Sequence, residues 1–336
     1  MLKYPVSSAL PNRKTYMYTI IPYLLVSAGI VLIYFGAECL VDASAKLALR
    51  LGVKPLLIGL TIVAFGTSAP ELVVSIQSAL AGAGGISVGN VIGSNICNVA
   101  LILGVSVFIR PILVSKQLFR FDIPLCVFAS LLAWFFLADG MVWIWEGTVL
   151  LAFFAGYISF SIVSAKRGGS EPESYPDNLE KNGSIAKDIM FIVVGLGMLV
   201  IGANLLVKGA VTLARGWGVS DAAIGLTIVA IGTSLPELAT SVVAAFKKQN
   251  DIAIGNVVGS NIFNVLFILG TVGVMGPVAT DGILLRDILW MVALTVALFV
   301  PLLSGHVLAR WSGAALLTAY ASYIFILAKT FAVPAP

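Results

Sequence analysis

Residues 59–104 read GLTIVAFGTSAPELVVSIQSALAGAGGISVGNVIGSNICNVALILG, and residues 225–270 read GLTIVAIGTSLPELATSVVAAFKKQNDIAIGNVVGSNIFNVLFILG. The two stretches align without a gap at an offset of 166 residues, and 27 of their 46 positions are identical. Chance similarity between apolar segments would match Leu, Val and Ile, whereas here Glu71 matches Glu237 and the GNVxGSN strings match each other. The sequence therefore contains a duplicated unit.

The composition around this unit is that of a membrane protein. Of the 336 residues, 59% are hydrophobic and only 11% are charged, and the mean hydropathy is +1.04. These values exclude a soluble enzyme, and a net charge of +4 is too small for a nucleic-acid surface. A helical span needs about 20 apolar residues. Apolar runs predict ten spans, near residues 20–45, 56–81, 86–109, 121–138, 142–164, 188–214, 222–246, 252–275, 286–304 and 307–330.

One connection divides these spans into two groups of five. Residues 165–187 are rich in Gly, Pro, Ser and charge, and are too few to fold as a domain. We predict a first five-helix repeat at 1–164, a cytoplasmic linker at 165–187 and a second five-helix repeat at 188–336. Because five is odd, the second repeat enters the membrane from the opposite side. The predicted fold is an all-α membrane protein whose ten transmembrane helices form two inverted repeats, as in many secondary transporters.

The basic residues predict the orientation. Thirteen of the 20 Lys and Arg residues fall in loops on one side of the predicted topology, six on the other, and Lys208 within a span. By the positive-inside rule the first side is cytoplasmic and both termini face outward. The N-terminal stretch lacks the features of a cleaved signal, so the first span should remain in the mature protein. Short loops favour a prokaryotic inner (plasma) membrane. Three cysteines, Cys39, Cys97 and Cys126, have no metal-binding or redox spacing.

Each repeat places one carboxylate near the middle of a span. Glu71 is the only ionisable side chain between residues 55 and 85, and Glu237 is the only one between residues 222 and 246. A carboxylate at that depth is costly unless it faces the protein interior and finds a partner. Two of them at equivalent repeat positions indicate a functional site.

The residues beside each glutamate add oxygen atoms. Thr67 lies four residues before Glu71, so the hydroxyl and the carboxylate share a helix face, and Thr233 repeats this spacing before Glu237. Pro70 cannot donate to the carbonyl four residues earlier, and its ring disturbs that turn. Disturbed backbone at membrane depth is tolerated where it lines a cavity or is buried in protein. The sequence therefore predicts an oxygen-rich pocket at the GTSAPE and GTSLPE strings.

The following span of each repeat supplies further oxygens. Ser94 and Asn98 share a face at four-residue spacing, as do Ser260 and Asn264, and the GNVIG and GNVVG strings permit close helix packing. Carboxylate, hydroxyl and amide oxygens, without imidazole or thiolate, suit calcium, sodium or magnesium rather than zinc, copper or iron. Calcium accepts six to eight flexible oxygen ligands, which favours it over magnesium.

The pair GTSAPE/GTSLPE followed by GNVIGSN/GNVVGSN resembles the two alpha repeats of the calcium/cation antiporter superfamily, on the sodium/calcium exchanger side. The resemblance covers both repeats, the ten spans and the linker. It implies an antiporter, not an enzyme, that exchanges cytosolic calcium for external sodium and needs no cofactor. The ion ligands it implies are Glu71, Glu237, Thr67, Thr233, Ser68, Ser234, Ser94, Ser260, Asn98 and Asn264, with the backbone oxygens of Ala64 and Ala230. Spans two, three, seven and eight would form the core, against which the first and sixth slide or rock.

Two features depart from the family pattern. Sodium/calcium exchangers often place an Asp in one repeat where this chain has Asn98 or Asn264. The site then carries at most two formal negative charges, which balance one calcium ion but not three sodium ions, so the usual three-to-one stoichiometry is in question. The linker also lacks the large calcium-binding regulatory domain of the animal members, so we do not expect calcium regulation through such a domain.

Two other functions fit the same residues. In a calcium/proton antiporter on this fold, the two glutamates would carry protons on the return step. A cation channel could be lined by the same oxygens, although channels commonly gather identical pore loops around an axis rather than inverted repeats. A monomer is sufficient for each of these functions, and the oligomeric state stays open.

The remaining polar residues are weaker candidates. Glu38, Asp42 and Lys46 follow one another at four-residue spacing on the first span, and the repeat offset pairs Lys208 with Asp42. We interpret them as an ion-pair group at a helix end rather than as transport ligands. His306, in a predicted loop, is expected to face solvent, and we assign it no role.

Overall fold

A computed structural model describes residues 13–168, 183–217, 230–299 and 306–332 of the chain, with side chains within 20–164, 183–217, 231–299 and 306–329. The helices are α1 (Arg13–Leu51), α2 (Pro55–Thr67), α3 (Ala69–Leu80), α4 (Gly84–Ile109), α5 (Leu118–Phe136), α6 (Ile144–Gly168), α7 (Ile185–Gly216), α8 (Ala230–Thr233), α9 (Leu235–Phe246), α10 (Asn250–Val274), α11 (Leu285–Ala297) and α12 (Arg310–Ala332). The strands are β1 (Ile112–Leu113), β2 (Met141–Val142), β3 (Val278–Ala279) and β4 (Val307–Leu308).

The described part of the chain has the long apolar helices of a multi-pass membrane protein. It contains seven helices long and apolar enough to cross a membrane, or eight if α2 and α3, which meet at a bend of 44°, form one span. These helices match eight of the ten predicted spans. The predicted seventh and ninth spans correspond to α8–α9 and α11, and parts of them, 222–229 and 300–304, lie outside the described residues, as does 169–182 of the linker.

Two helix breaks position the GTSxPE strings. The helix stops at Thr67 and resumes at Ala69 in the first repeat, and Ser234 separates α8 from α9 in the second. Pro70 and Pro236 occupy the first turn of the new helix, where a missing backbone N–H costs nothing. The distortion predicted from these prolines is therefore present in both repeats, and it places a glutamate in the first turn of α3 and of α9.

A wider helical turn follows each GSN string. Residues Cys97–Leu103 of α4 and Phe263–Leu269 of α10 adopt a π-helix, and the two stretches are 166 residues apart. Such turns are rare and are frequent at functional sites. Asn98 and Asn264 are the second residues of these stretches.

Two short antiparallel ribbons join the halves of the chain. β1 pairs with β4 in the register Ile112↔Leu308, and β2 pairs with β3 in the register Met141↔Ala279. The repeat offset of 166 residues maps β1 onto β3 and β2 onto β4, so each ribbon contains one strand from each repeat. The two ribbons are therefore equivalent to each other under the duplication.

The second-repeat GNVVG string brings α10 against α2. A Cβ atom added at Gly259 would lie 2.7 Å from the carbonyl oxygen of Leu60, and one added at Gly255 would lie 3.1 Å from that of Leu56. Small residues at four-residue spacing permit this approach, as the sequence predicted. The contact brings the polar face of α10 next to the first-repeat GTSAPE string.

Candidate ion-binding site

The two buried glutamates are held by serines of the opposite repeat. Ser68 Oγ donates to Glu237 Oε1 at 2.9 Å, and Ser234 Oγ donates to Glu71 Oε1 at 3.2 Å. All four side chains are at most 1% exposed. Each repeat thus supplies the serine that donates to the other repeat's glutamate. The two helix breaks therefore face each other and form one site rather than two.

Two asparagines brace the backbone behind the glutamates. Asn90 Nδ2 donates to the carbonyl oxygen of Glu71 at 3.0 Å, and Asn256 Nδ2 donates to that of Glu237 at 3.3 Å. These carbonyls lie in the first turn after a helix break. The predicted ligand set omitted Asn90 and Asn256, although both belong to the duplicated GNVxGSN strings. Their duplication is the signal that could have identified them.

The two predicted threonines differ in environment. Thr67 is fully buried, and its Oγ1 lies 3.0 Å from Asn256 Oδ1 and 3.3 Å from the carbonyl oxygen of Ala64. Thr233 is half-buried and lines a cavity. The Ala64 carbonyl also accepts from the backbone N–H of Ser68 at 3.0 Å. Ala230 is the first described residue of α8.

Four asparagine side chains pair across the repeats, on segments of α4 and α10 of which Cys97–Leu103 contacts α9 and Phe263–Leu269 contacts α3. Asn98 Nδ2 donates to Asn261 Oδ1, and Asn264 Nδ2 donates to Asn95 Oδ1, both at 3.0 Å. Each side chain is at most 1% exposed. We call these four residues the amide network. Its pattern repeats the reciprocal geometry of the Ser–Glu pairs.

Several buried oxygens of the site have no hydrogen-bond donor within the described ranges. They are Glu71 Oε2, Glu237 Oε2, Asn98 Oδ1, Asn264 Oδ1 and Ser260 Oγ. Ser94, the repeat equivalent of Ser260, is 5% exposed on α4. Buried acceptors without a donor are costly, and a cation is the group that would satisfy several at once. Carboxylate, amide and hydroxyl oxygens are ligands that calcium and sodium accept, so the donor set fits a hard cation.

The described residues offer nothing comparable for a soft metal. Among them no group of three or more His, Cys, Asp or Glu side chains is placed to hold a metal ion. Cys97 and Cys126 are buried, Cys39 is half-buried, and all three are free thiols. The burial of Cys97 and Cys126 is typical of cysteines that pack as small apolar side chains.

A cavity adjoins the site at Thr233. It has a volume of about 460 Å³ and lies between α3 and α7, where its lining includes Pro70, Gln77, Asn204, Val207 and Thr233. Thr233 is therefore accessible from this cavity. Gln77 and Asn204 add two further polar side chains to the lining of this cavity.

The ion-pair group on α1 has a different partner from the one expected. Lys247, just after α9, lies 2.8 Å from Asp42 and 3.4 Å from Glu38. Partial burial acts to lower the pKa of Lys247, but the hydrogen bonds and negative charges of the two carboxylates outweigh it and raise that pKa. These pairs tie α1 to the second repeat, whereas the spacing alone indicated Lys46. Lys208 is exposed on α7.

The environment of His306 also differs from the expectation. The residue is half-buried rather than solvent-facing, and its ring meets that of Phe119 edge-on at 4.7 Å between centroids. Its backbone has a positive φ of 59°, and its carbonyl accepts from Val114 N–H beside the β1–β4 ribbon. The contacts assign it a packing role in the loop.

Comparisons with known proteins agree with this geometry. The sequence model of a family described as "Sodium/calcium exchanger protein" matches residues 21–163 and 187–329, two segments related by the repeat offset. The putative antiporter CaxA of Alkalimonas amylolytica is 37% identical, covering 90% of this chain and 98% of its own. The sodium/calcium exchanger MaX1 of Methanosarcina acetivorans is 31% identical, with coverages of 91% and 98%.

A solved structure is similar over the same extent. The sodium–calcium exchanger NCX_Mj, soaked with 10 mM Na⁺ and 10 mM Sr²⁺, superimposes with a TM-score of 0.80 at 32% identity. The alignment covers 91% of this chain and 98% of that one. The family model, the relatives and the solved structure thus agree with a duplicated set of oxygens that is hydrogen-bonded between the repeats. The chain belongs to the sodium/calcium exchanger family of membrane transporters.

Proposed function

We propose that the protein is a secondary antiporter that exchanges calcium for sodium across the membrane by alternating access. The observation that carries this proposal is the pair of buried glutamates, each held by a serine of the other repeat. A site built equally from both repeats is suited to exposure towards either face in turn. The names of the relatives, one an exchanger of sodium and calcium and one a putative antiporter, support the same activity.

The proposed ion ligands are those that the resemblance implies. Glu71, Glu237, Asn98, Asn264 and Ser260 have the strongest support, because each has a buried oxygen with no donor among the residues described. The others are the side chains of Thr67, Thr233, Ser68, Ser234 and Ser94 and the backbone oxygens of Ala64 and Ala230. Ser68 and Ser234 orient the glutamates through their hydroxyl hydrogens and keep oxygen lone pairs for an ion.

We further propose ten spans in two inverted repeats, at 1–164 and 188–336, with the linker 165–187 in the cytoplasm. The ribbons support this topology. β1 and β4 belong to loops that the ten-span prediction places on the cytoplasmic side, and β2 and β3 belong to loops that it places outside. Since the duplication maps β1 onto β3, the proposed topology places equivalent loops on opposite sides, and the strand pairing agrees with it because each ribbon joins two loops of one side. Both termini would then face outward from a prokaryotic inner membrane.

The proposed stoichiometry follows from the charges. Two glutamates and no aspartate give the site two formal negative charges, because Asn occupies both 98 and 264. An uncompensated charge is costly in a low-dielectric interior. One calcium ion or two sodium ions would each make the loaded site neutral. We therefore propose that two sodium ions exchange for one calcium ion without net charge movement.

In the proposed cycle, α1 and α7 move together against the rest. Their backbones meet at glycines: a Cβ atom at Gly29 would lie 2.7 Å from the carbonyl oxygen of Gly202, and one at Gly36 would lie 2.9 Å from that of Gly195. The buried Arg50–Asp188 ion pair, with 2.6 Å between Nη1 and Oδ2, also joins the two helices. These contacts support a single moving unit.

A pair of crosslinks tests this movement. With the native cysteines replaced by Ala, Asp42→Cys and Lys247→Cys joined by a short bifunctional reagent should reduce exchange at least tenfold and leave calcium binding unchanged. The crosslink would fasten α1 to the second-repeat core. The matched control joins Arg50→Cys to Asp188→Cys within the moving unit and should leave exchange intact. Undiminished turnover after the first crosslink would contradict the proposed movement.

The antiport proposal itself is tested by radiolabelled calcium uptake into sodium-loaded proteoliposomes. We expect uptake against a calcium gradient when external sodium is removed, and none when sodium is equal on both sides. A calcium/proton antiporter, which the paired buried glutamates would also suit, would instead respond to an outward proton gradient and ignore sodium. Passive calcium flux that no second gradient drives uphill would indicate a channel.

A further inference from the structure

We propose that Asn95 and Asn261 are positioning residues for the transported ion. They would hold Asn98 and Asn264 so that each presents its amide oxygen, and not its NH₂ group, to the cation. This inference rests on the proposed function and concerns two residues that the predicted ligand set does not contain. Its basis is the direction of the four hydrogen bonds that join the members of the amide network.

The backbone fixes the orientation of the two positioning amides. Asn95 Nδ2 lies 3.4 Å from the carbonyl oxygen of Asn261, and Asn261 Nδ2 lies 3.4 Å from the carbonyl oxygen of Asn95. A backbone carbonyl can only accept. Each amide must therefore direct its nitrogen to that carbonyl and its oxygen away from it. Asn95 Nδ2 also lies 3.6 Å from Met291 Sδ. A thioether sulfur is a weak acceptor and cannot donate, so this contact favours the same orientation.

The orientation passes on to the proposed ligands. Asn261 Oδ1 can only accept, so it requires the NH₂ group of Asn98, which lies 3.0 Å away; Asn95 Oδ1 requires that of Asn264 in the same way. With their nitrogens engaged, Asn98 and Asn264 must turn their oxygens to the opposite side. There both oxygens are buried and meet no donor in the part of the chain described.

This arrangement matters because an asparagine amide has two unlike faces. A flipped Asn98 would aim two N–H donors at a cation and would leave Asn261 Oδ1 without a donor. Aspartate differs, because it offers an oxygen to the cation whichever way it turns, and its other oxygen would face Asn261 Oδ1 or Asn95 Oδ1 as a second acceptor. The positioning residue therefore gives an aspartate no favourable hydrogen bond to lose. A chain with Asn at both 98 and 264 therefore needs both positioning residues, one acting on each repeat in a crossed pattern.

The crossed pattern gives a test that a general packing role would not pass. Asn261→Leu removes the acceptor for Asn98 and keeps the number and branching of the side-chain heavy atoms, and it should raise the calcium KM of sodium-driven uptake at least tenfold with a smaller change in kcat. In an Asn98→Asp background the same substitution should change the KM less than threefold. In an Asn264→Asp background, which adds the same charge at the equivalent site, the tenfold loss should persist.

The equivalent variants of Asn95 repeat the test in the other half of the network, so that the result does not depend on whether Asn261→Leu folds. Asn95→Leu should be rescued by Asn264→Asp and not by Asn98→Asp. Equilibrium calcium binding to each purified variant, after size-exclusion chromatography and a thermal melt, separates affinity from folding. An unchanged KM in both Leu variants, or equal losses in both Asp backgrounds, would overturn the inference while wild-type exchange stands. If the wild type shows no sodium-dependent uptake, the proposed function fails first and takes the inference with it.

Discussion

Glu71→Gln and Glu237→Gln are each expected to abolish sodium-driven calcium uptake, with a fall of at least a hundredfold in rate at low calcium. Glutamine keeps the shape of the side chain and can still accept from Ser234 or Ser68. It removes one of two negative charges facing a divalent ion, however, and it can place N–H donors where an ion needs an acceptor. A hundredfold loss of affinity corresponds to about 3 kcal/mol. Removing one partner of a buried charge pair typically costs about this much or more.

The matched control is Asp139→Asn, a carboxylate in the exposed turn between α5 and β2. It changes the net charge of the protein by the same amount, and we expect uptake within about twofold of wild type, as for most surface substitutions. The two glutamate variants should behave alike, because each glutamate accepts from the equivalent serine of the other repeat. Full activity in either one would mean that its carboxylate is not an ion ligand.

Much of this site could be predicted because the duplication is visible in the sequence. Chemical reasoning about Glu71 and Glu237, each alone among ionisable side chains in its span, led to a buried oxygen site. The prolines two residues later than Ser68 and Ser234 predicted the helix breaks that the structure contains. These inferences depend on local chemistry and spacing, which a sequence records directly.

The crossed hydrogen bonds could not be predicted in this way. Four-residue spacing places Ser94 and Asn98 on one face, but nothing in the spacing says that Asn98 donates to Asn261 of the other repeat. The same limit applied to Glu38 and Asp42, whose partner Lys247 comes from a distant helix end and not from the next turn. A pairing between repeats depends on the packing of whole helices, which periodicity within one helix does not determine.

The charge count leads to a second large effect, on coupling to the membrane potential. If one calcium ion exchanges for two sodium ions, no net charge moves, and potassium–valinomycin potentials of either sign should leave the wild-type initial rate within about 20% of its value at zero potential. A tenfold sodium gradient should then hold a calcium gradient of about a hundredfold at equilibrium, since two sodium ions supply about 2.7 kcal/mol. Three sodium ions would hold about a thousandfold at zero potential.

Asn264→Asp should convert this neutral exchange into an electrogenic one. Three carboxylates are neutralised by three sodium ions but leave one negative charge with a single calcium ion, so the two loaded forms differ by one charge. Calcium uptake into sodium-loaded vesicles should then accelerate severalfold when the interior is positive, and the equilibrium calcium gradient should rise towards the three-sodium value. Asn98→Asp should act alike, because the repeats supply equivalent positions, whereas Asn264→Leu should lower affinity without creating potential dependence. A wild-type rate that already rises with interior-positive potential would contradict the charge argument, because a third sodium ion would then be bound without a third carboxylate.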